Sequence, residues 1–502
     1  MIGNFMDLLT KKAPEFPKGY TWFNTKEPLS LSKLKGHVVV LDFWTYCCIN
    51  CMHVLPVLSK IQEHYQGKPV IVIGVHSAKF KNEENPDNIE HAIERYAVKH
   101  PVVVDKKHHI WGSYFVSAWP TTIIIGPNGK VAYKLAGEYS YNQMVQLIDD
   151  VLSNSSQAGT LAKSRIKIEQ KSIQQHRHGT LSFPGKMSFS RDKDKFALSD
   201  SNNNRILIIK ASTGKILIQI GSRESGLMDG SFKEARFWRP QGVLWQDDKI
   251  YVADTENHAL REIDLPSKKV KTLAGTGQKG KYVEFGIKYP RSTELSSPWD
   301  LACDGKTIFI AMAGLHQIWG YDIKTGHVSV FAGNGREDVI DGPAALAELA
   351  QPSGLWYKSG TLYVADSEAS AIRSIALKSG YVSTLAGGEG LFFFGDKDGS
   401  LFSAQLQHPL GVCEQDGTTY VADTYNSSIK AIDLNEKNVT ILVGNKEKSV
   451  CKFDDPNCDT LGLYEPSDVK SDGKDIYIVD TNNHLVRKFE TNSKLLKTLD
   501  IK

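Results

Sequence analysis

Three cysteines within five positions are the residues of this sequence whose types and spacing most clearly suggest chemistry. Cys47, Cys48 and Cys51 lie in DFWTYCCINC, between an apolar run typical of a β-strand and an amphipathic run typical of a helix. A cysteine at a helix start is favoured as a thiolate, because free backbone N–H groups and the helix dipole stabilise negative charge. A second cysteine one turn inside the helix can attack a mixed disulfide and release the product. The pattern predicts thiol–disulfide exchange, with Cys48 as nucleophile and Cys51 as resolving thiol.

Strand and helix patterns alternate around this segment over residues 1–155. HVVVLDFW, KPVIVIGVH and TTIIIGP are short β-rich apolar runs, whereas CMHVLPVLSKIQEHY and DNIEHAIERYAV repeat apolar residues every three or four positions. This alternation predicts βαβ units around a mixed or parallel sheet. The polar stretch SNSSQAGT follows the last helical pattern. We therefore expect residues 156–180 to form a linker, with RIKIEQ as a candidate strand that closes the next domain.

The first 150 residues resemble thioredoxin, since D-F-W-x-x-x-C-x-x-C matches residue for residue. The resemblance implies that Asp42 is the family's buried acid, which moves protons on and off the resolving cysteine and needs a pKa raised by burial. It also implies that Trp119, Pro120 and Thr121 form the family's cis-proline loop, whose backbone binds the substrate chain. Pro56 matches the proline that kinks the family's active-site helix.

Several departures leave alternatives open at this centre. Cys47 stands where thioredoxins usually carry Trp, so it is either a small buried side chain or a third thiol able to form an alternative disulfide. Ile49 and Asn50 replace the usual Gly-Pro, so the reduction potential is not predicted. A structural zinc site would lack a companion C-x-x-C, and the peroxiredoxin pattern would need a proline at Leu41. We expect no metal and no cofactor.

A repeat replaces the helical pattern after about residue 180. Each unit shows about four short strands, and fourteen positions after most of the opening prolines an Asp closes an apolar strand, as in IYVADT and LYVADS. One such sheet cannot bury both of its faces, but six sheets packed radially can. The prolines that open the units are Pro184, Pro240, Pro298, Pro352, Pro409 and Pro466.

These units resemble NHL repeats in P-x-G-[VL], in Y-V-A-D-T-x-N-H and in T-L-A-G. The fold class is therefore multidomain α/β plus all-β, a thioredoxin-like fold followed by a six-bladed NHL β-propeller at residues 181–502. The combination resembles the NHL repeat-containing protein 2 family. We expect each repeated Asp to accept N–H groups of the turn that follows it, and Asn257 and Asn483 to take left-handed turn positions. The turns and the long blade connections should share one loop-rich face, where the propeller would bind a protein partner.

Composition limits the remaining function classes. The 502 residues carry 60 Lys and Arg against 57 Asp and Glu, a net charge of +3, so we do not expect nucleic acid as a partner. The N-terminus MIGNFMDLLTKKAPEF lacks a signal-peptide pattern, and no apolar run is long enough to span a membrane. Seven cysteines, an odd and sparse set, predict a reducing cytoplasm, with Cys451 and Cys458 as free thiols.

The expected function is a cytoplasmic thiol–disulfide oxidoreductase that acts on protein thiols or disulfides. The propeller would present substrates or hold a protein partner. The competing interpretation is a non-catalytic redox-sensing scaffold or adaptor, in which the cysteine pair reports on binding or gates it.

Overall fold

The structure is a computed structural model that describes residues 12–171, 179–281, 285–444 and 462–502. The chain divides into two compact units, Met1–His176 and Arg177–Lys502. The predicted free thiols Cys451 and Cys458 lie outside the described residues.

The first unit contains a six-stranded mixed sheet in the order β1-β4-β3-β2-β5-β6. The central strand β2 runs parallel to β3 and antiparallel to β5. The strands are β1 Trp22–Phe23, β2 Val38–Trp44, β3 Val70–His76, β4 Val102–Val104, β5 Thr121–Ile125 and β6 Val131–Ala136. The helices are α1 Ile49–His64, α2 Pro86–Arg95, α3 His109–Ser113 and α4 Tyr141–Gln157, and two 3₁₀ turns span Lys81–Glu84 and Lys106–His108.

Both faces of the sheet are covered, which explains why β2 reads as an unbroken apolar run apart from its one acid. One face packs against Leu58 of α1 and Ile148 of α4. The other packs against Ile110 of α3 and Tyr114 just after it. The carboxyl end of β2, which precedes α1, is therefore buried within the core.

The segment after α4 belongs to the first unit. The N–H of Ala162 donates to the Gly36 carbonyl at 2.8 Å, and the N–H of Ile166 donates to His37 Nε2 at 2.9 Å. Residues 161–171 contain no strand. RIKIEQ, the candidate closing strand, therefore lies against the thioredoxin-like unit, because its backbone groups find their partners there.

The second unit is a six-bladed β-propeller, as predicted. Each blade is an antiparallel meander of four strands, and blades two to five gain a two-residue fifth strand at the outer edge. The blades are, from the inner strand outward, Met187–Phe189, Lys195–Asp200, Arg205–Lys210, Ile216–Ile220; Val243–Gln246, Lys249–Asp254, Ala259–Asp264, Lys269–Ala274; Pro298–Cys303, Thr307–Met312, Gln317–Asp322, Val328–Ala332; Pro352–Lys358, Thr361–Asp366, Ala371–Ala376, Tyr381–Gly387; Gly411–Gln415, Thr418–Asp423, Ser428–Asp433, Asn438–Gly444; and Asp468–Ser471, Ile476–Asp480, Leu485–Glu490, Leu495–Leu499. The outer two-residue strands are Gly230–Ser231, Ile287–Lys288, Gly342–Pro343 and Gly399–Ser400.

The repeated Asp anchors a loop that precedes its own blade. Asp254 Oδ1 accepts the N–H of Trp238 at 2.8 Å, and Asp254 Oδ2 accepts from Asn257 Nδ2 at 2.8 Å. The left-handed residue is the next one along, His258 with φ 48° and His484 with φ 58°. The expectations of a simple turn for the Asp and of a left-handed Asn257 were therefore wrong. The Asn side chain is held by the Asp, and the histidine after it makes the turn.

This left-handed histidine joins neighbouring blades. His258 Nδ1 accepts the N–H of Ser297 at 3.0 Å, and His484 Nδ1 accepts the N–H of Phe183 at 2.9 Å. Ser297 and Phe183 each precede the proline that opens a blade. The second of these bonds links the last blade to the first.

The long blade connections do not lie wholly on one face. Each of four connections passes the outer edge of the following blade, where its two-residue strand pairs with the outermost long strand, as Gly230–Ser231 does with Lys269–Ala274. Side chains of the connections strengthen this edge, since Asp229 accepts from both Arg261 and Thr272. The connections therefore form part of the blades as well as part of a rim.

Candidate functional site

The cysteine pair lies at the junction between β2 and α1. Cys48 is the N-cap residue of α1, with φ −79° and ψ 116°, and the N–H of Cys51 donates to its carbonyl at 3.1 Å. Cys48 is partly exposed, whereas only 1 % of Cys51 is exposed. One sulfur is therefore accessible from outside and the other lies behind it, as the spacing predicts.

Cys51 is held in its protonated form by its surroundings. Burial, a hydrogen bond with the Cys48 side chain and the charges of Cys48 and Asp42 raise the pKa of Cys51 well above its usual value. A thiol of this kind attacks a disulfide only when a neighbouring base removes its proton.

A carboxyl group, that of Asp42, lies on β2, the strand directly before the cysteines. It is fully buried, and burial raises its pKa from 3.8 to about 7. The Thr122 hydroxyl donates to Asp42 Oδ1 at 3.3 Å, and this hydroxyl also lies 3.1 Å from that of Tyr139. Asp42 Oδ2 has no hydrogen-bond partner within the described parts of the chain. One carboxylate oxygen is therefore available to take up or deliver a proton.

The three residues proposed to bind substrate continue into the strand beside β2. The peptide bond between Trp119 and Pro120 is cis. Thr121 begins β5 and pairs with Phe43, one position from Asp42. The indole N–H of Trp119 donates to the Ser77 carbonyl at 2.9 Å, which ties this loop to the end of β3. The loop thus lies at the same end of the sheet as the cysteine pair.

Cys47 is fully buried, and its backbone is held by an acid that sequence reasoning missed. Its N–H donates to Glu83 Oε1 at 2.9 Å, and Glu83 Oε2 accepts the N–H groups of Lys79 and Phe80 at 2.9 and 3.0 Å. Glu83 lies in a polar 3₁₀ turn without any periodic pattern, so no sequence signal pointed to it. The buried carboxylate orders the backbone immediately before Cys48.

Two histidines of the first unit, His53 and His76, contact neighbouring side chains. His53 Nδ1 lies 2.7 Å from Glu138 Oε1, which joins α1 to the segment after β6. His76 is buried against Tyr46 with ring centroids 5.6 Å apart, and burial lowers its pKa to about 3. Among the described residues, no group of three or more His, Cys, Asp or Glu side chains could hold a metal ion. The described helices also include none that is long and apolar enough to cross a membrane.

Comparisons with known proteins agree with this architecture. The model of thioredoxin-like proteins matches residues 36–131, and the model of the NHL repeat matches residues 463–489. The first match includes both cysteines and Asp42. The second includes Asp480 and His484 of the last blade.

Several relatives align with almost the whole chain. Protein SUPPRESSOR OF QUENCHING 1, chloroplastic, of Arabidopsis thaliana is 41 % identical over 512 residues, which cover 97 % of this chain and 48 % of that protein. NHL repeat-containing protein 2 of Homo sapiens is 39 % identical over 522 residues, which cover 97 % of this chain and 71 % of that protein. The chain therefore spans about half the length of the first relative and most of the second.

A third relative matches the first unit alone. Thiol-disulfide oxidoreductase ResA of Bacillus cereus is 31 % identical over 116 residues, which cover 23 % of this chain and 64 % of that protein. The alignment with the human protein shows the family, because it combines both units in one chain. This protein belongs to the NHL repeat-containing protein 2 family.

Proposed function

We propose that the first unit is a thiol–disulfide oxidoreductase whose substrates are protein thiols or disulfides. The observation that carries the proposal is the arrangement of the two sulfurs, with Cys48 partly exposed at the start of α1 and Cys51 buried behind it. The similarity to ResA, whose name states this activity, supports it.

In the reductive direction the Cys48 thiolate attacks one sulfur of a substrate disulfide. A Cys48–substrate disulfide forms, and the other substrate sulfur leaves as a thiolate. The N-terminal N–H groups of α1 stabilise the attacking thiolate, because they have no partner within the helix. The exposure of Cys48 allows a protein substrate to approach.

The second step uses the buried residues. Asp42 takes the proton of Cys51, whose thiolate then attacks the Cys48 sulfur and releases the substrate as a second thiolate. The pair ends as a Cys48–Cys51 disulfide and the substrate as two thiols, so two electrons move from protein to substrate. The same steps in reverse oxidise a substrate dithiol. A pKa of about 7 allows Asp42 to serve both directions near neutral pH.

Trp119, Pro120 and Thr121 hold the substrate chain in this proposal. The partly exposed Trp119 lies against Trp111, with ring centroids 4.4 Å apart, and so extends an aromatic surface beside the loop. An extended substrate segment would pair with the backbone of this loop and pack on the indole rings.

A trapping experiment tests the activity. Cys51→Ser stops the reaction at the mixed disulfide, so the variant should accumulate covalent complexes that a reductant dissolves. Cys48→Ser should trap none, and Cys413→Ser, which removes a fully buried propeller cysteine, should behave as the wild type. If Cys51→Ser traps no protein while Cys48 still reacts with an alkylating agent, the scaffold interpretation replaces the enzyme.

The propeller is a protein-interaction module in this proposal. Large apolar side chains are exposed on its blade connections, including Tyr289 at 75 % and Leu346 at 67 % exposure. Exposed apolar side chains on ordered connections are typical of protein-binding surfaces. Tyr289→Ser and Leu346→Ser, combined with Cys51→Ser, should trap fewer protein substrates than Cys51→Ser alone. With both cysteines intact, the same two propeller substitutions should leave the reduction of a small disulfide unchanged. Leu495→Ser, an exposed position on the last blade, is the control.

The cytoplasm is the compartment we propose. Cys48, Cys51, Cys303 and Cys413 are free thiols in the described part of the chain, which suits a reducing environment. Fractionation of cells that produce the native protein tests this, and recovery in an oxidising compartment would contradict it.

A further inference from the structure

A cavity of about 190 Å³ opens at the centre of the propeller. Its lining comes mostly from the last residues of the inner strands, among them Phe189, Trp245, Cys303 and Ser471. It also includes Lys193, from the turn between the first two strands of blade one. The cavity therefore opens on the face of these turns, opposite the Asp and His turns described above.

A cluster of buried charges closes the channel at its inner end. The fully buried Lys186 donates to the Ser467 carbonyl at 3.0 Å and lies 3.7 Å from Asp300 Oδ2. Asp300 Oδ2 also accepts the N–H of Leu355 at 2.9 Å. These bonds join four blades across the axis. The cavity is consequently a pocket with a floor, since Lys186 and Asp300 occupy the channel beneath it.

The polar groups of the lining have spare capacity to donate hydrogen bonds. Lys470 donates one ammonium proton to Asp468 Oδ1 at 2.8 Å, which leaves two more. Lys193 is exposed at the rim, with its ammonium 5.3 Å from the centre of the Phe189 ring. A ligand that supplies acceptors and a negative charge would bind both ammonium groups.

The walls of the cavity require an apolar body on that ligand. Trp245, Trp356 and Tyr357 line it, and the ammonium of Lys470 lies 5.7 Å from the centre of the Trp356 ring. The volume corresponds to roughly six water molecules at about 30 Å³ each. Such a space suits one aromatic ring or a branched aliphatic group.

We propose that this cavity binds a small organic monocarboxylate with an aromatic or branched apolar body. The carboxylate lies against Lys470, the apolar body fills the space between the aromatic walls, and Lys193 attracts the anion at the rim. This site is independent of the cysteine pair, because its residues all belong to the second unit.

Fluorine NMR of the full-length protein tests the site with 4-fluorobenzoate as the probe. Neutral 4-fluorobenzamide, which has nearly the same shape, is its matched comparison. We expect saturable binding of the benzoate and about tenfold weaker binding of the amide, because only the benzoate carries a negative charge that the ammonium groups attract. Absence of saturable benzoate binding, or equal affinity for both probes, would overturn the proposal.

Two variants locate the binding site. Trp356→Ala removes one aromatic wall of the cavity, and Lys193→Met removes the rim charge; each should weaken benzoate binding several-fold. Lys268→Met is the matched control, because Lys268 is also exposed, also left-handed, with φ 55° against 60° for Lys193, and belongs to a turn on the same face. Unaltered circular dichroism shows that the variants fold. Benzoate binding that is equally weakened by Lys268→Met, or unchanged in both site variants, contradicts the assignment.

Discussion

At the scale of single residues, the chemistry of the pair depends on how Asp42 is buried. Water is excluded from this carboxyl, and burial alone would hold it protonated at neutral pH. The Thr122 hydrogen bond favours the charged form and partly offsets burial. A pKa of about 7 results, which matches a group that must accept a proton from Cys51 and later return it.

Replacement of Asp42 by Asn should slow the resolving step while leaving the first attack by Cys48 nearly unchanged. In the wild type the resolving rate should rise as pH increases through about 7, because only the carboxylate accepts the Cys51 proton. The Asn variant should lack this rise and be slower by roughly a hundredfold near pH 8. Stopped-flow measurement of product release from a preformed Cys48 mixed disulfide separates the two steps. An unaltered pH profile would remove Asp42 from the mechanism.

Thr122→Val should move the same pH profile upward. The hydroxyl lowers the pKa of Asp42, so its loss leaves burial less opposed and raises that pKa further above 7. A hydrogen bond to a charged group contributes about 1.5 kcal/mol, which corresponds to a rise of about one pH unit in the midpoint. Infrared titration of the Asp42 carboxyl measures the shift directly. Thr25→Val is the control, since the Thr25 hydroxyl donates to the Glu27 carbonyl instead; a downward shift in Thr122→Val would contradict the explanation.

At the scale of elements, blade three shows that the charged network of the repeat can be replaced. Most blades place a buried Asp at the end of the second strand and a buried Arg or Lys on the third, as with Asp254 and Arg261 at 2.7 Å. Blade three has Met312, Leu315 and Trp319 at the corresponding positions, all buried. Buried apolar side chains take the place of the charged ones here. This replacement is possible because a buried ion pair contributes little net stability over good apolar packing.

Loss of one charged partner in blade two and replacement of its whole network by apolar side chains should change the stability of the propeller by different amounts. Asp254→Ala leaves the Arg261 guanidinium buried beside a cavity and should cost about 3–5 kcal/mol of propeller stability. The triple variant Asp254→Met, Asn257→Leu, Arg261→Trp, which copies blade three, should cost clearly less. Urea unfolding of the propeller followed by circular dichroism measures both. Asp248→Ala, at an exposed turn, is the control, and a triple variant less stable than Asp254→Ala would contradict this view of the network.

The elements also show where sequence reasoning succeeds and where it cannot. The sequence pattern predicted the helix whose N-cap is Cys48, and six repeats predicted the strands and their Asp residues. The hydrogen-bond partners within the repeat could not be predicted. The N–H that Asp254 accepts comes from Trp238 in an irregular loop, and the N–H that His258 accepts comes from Ser297, which precedes the next blade. Glu83 was missed for the same reason, since a contact between distant segments leaves no periodic pattern.

At the scale of the whole propeller, no strand from another part of the chain closes the ring within the residues that the structure describes. The first and last blades are each built from one continuous stretch of sequence. Their interface buries Met187 against Val479 and Val486, and the N–H of Ile216 donates to the Lys502 carbonyl at 2.7 Å. The bond from Phe183 to His484 completes this seam. Every other pair of neighbouring blades is also joined by the chain itself, whereas only non-covalent contacts hold the first and last blades together.

His484→Ala should therefore open the ring more readily than the equivalent His258→Ala. Both variants lose one hydrogen bond between blades, from Phe183 in the first case and from Ser297 in the second. In the second case a covalent connection still holds the two blades together, whereas at the seam only non-covalent contacts remain. Hydrogen exchange of Met187–Phe189 should accelerate by about tenfold in His484→Ala, as expected for a loss near 1.4 kcal/mol in a local opening. The corresponding inner strand Pro298–Cys303 should change less in His258→Ala. Equal acceleration at both places would mean that closure is governed by the hydrogen bond and not by the missing covalent link.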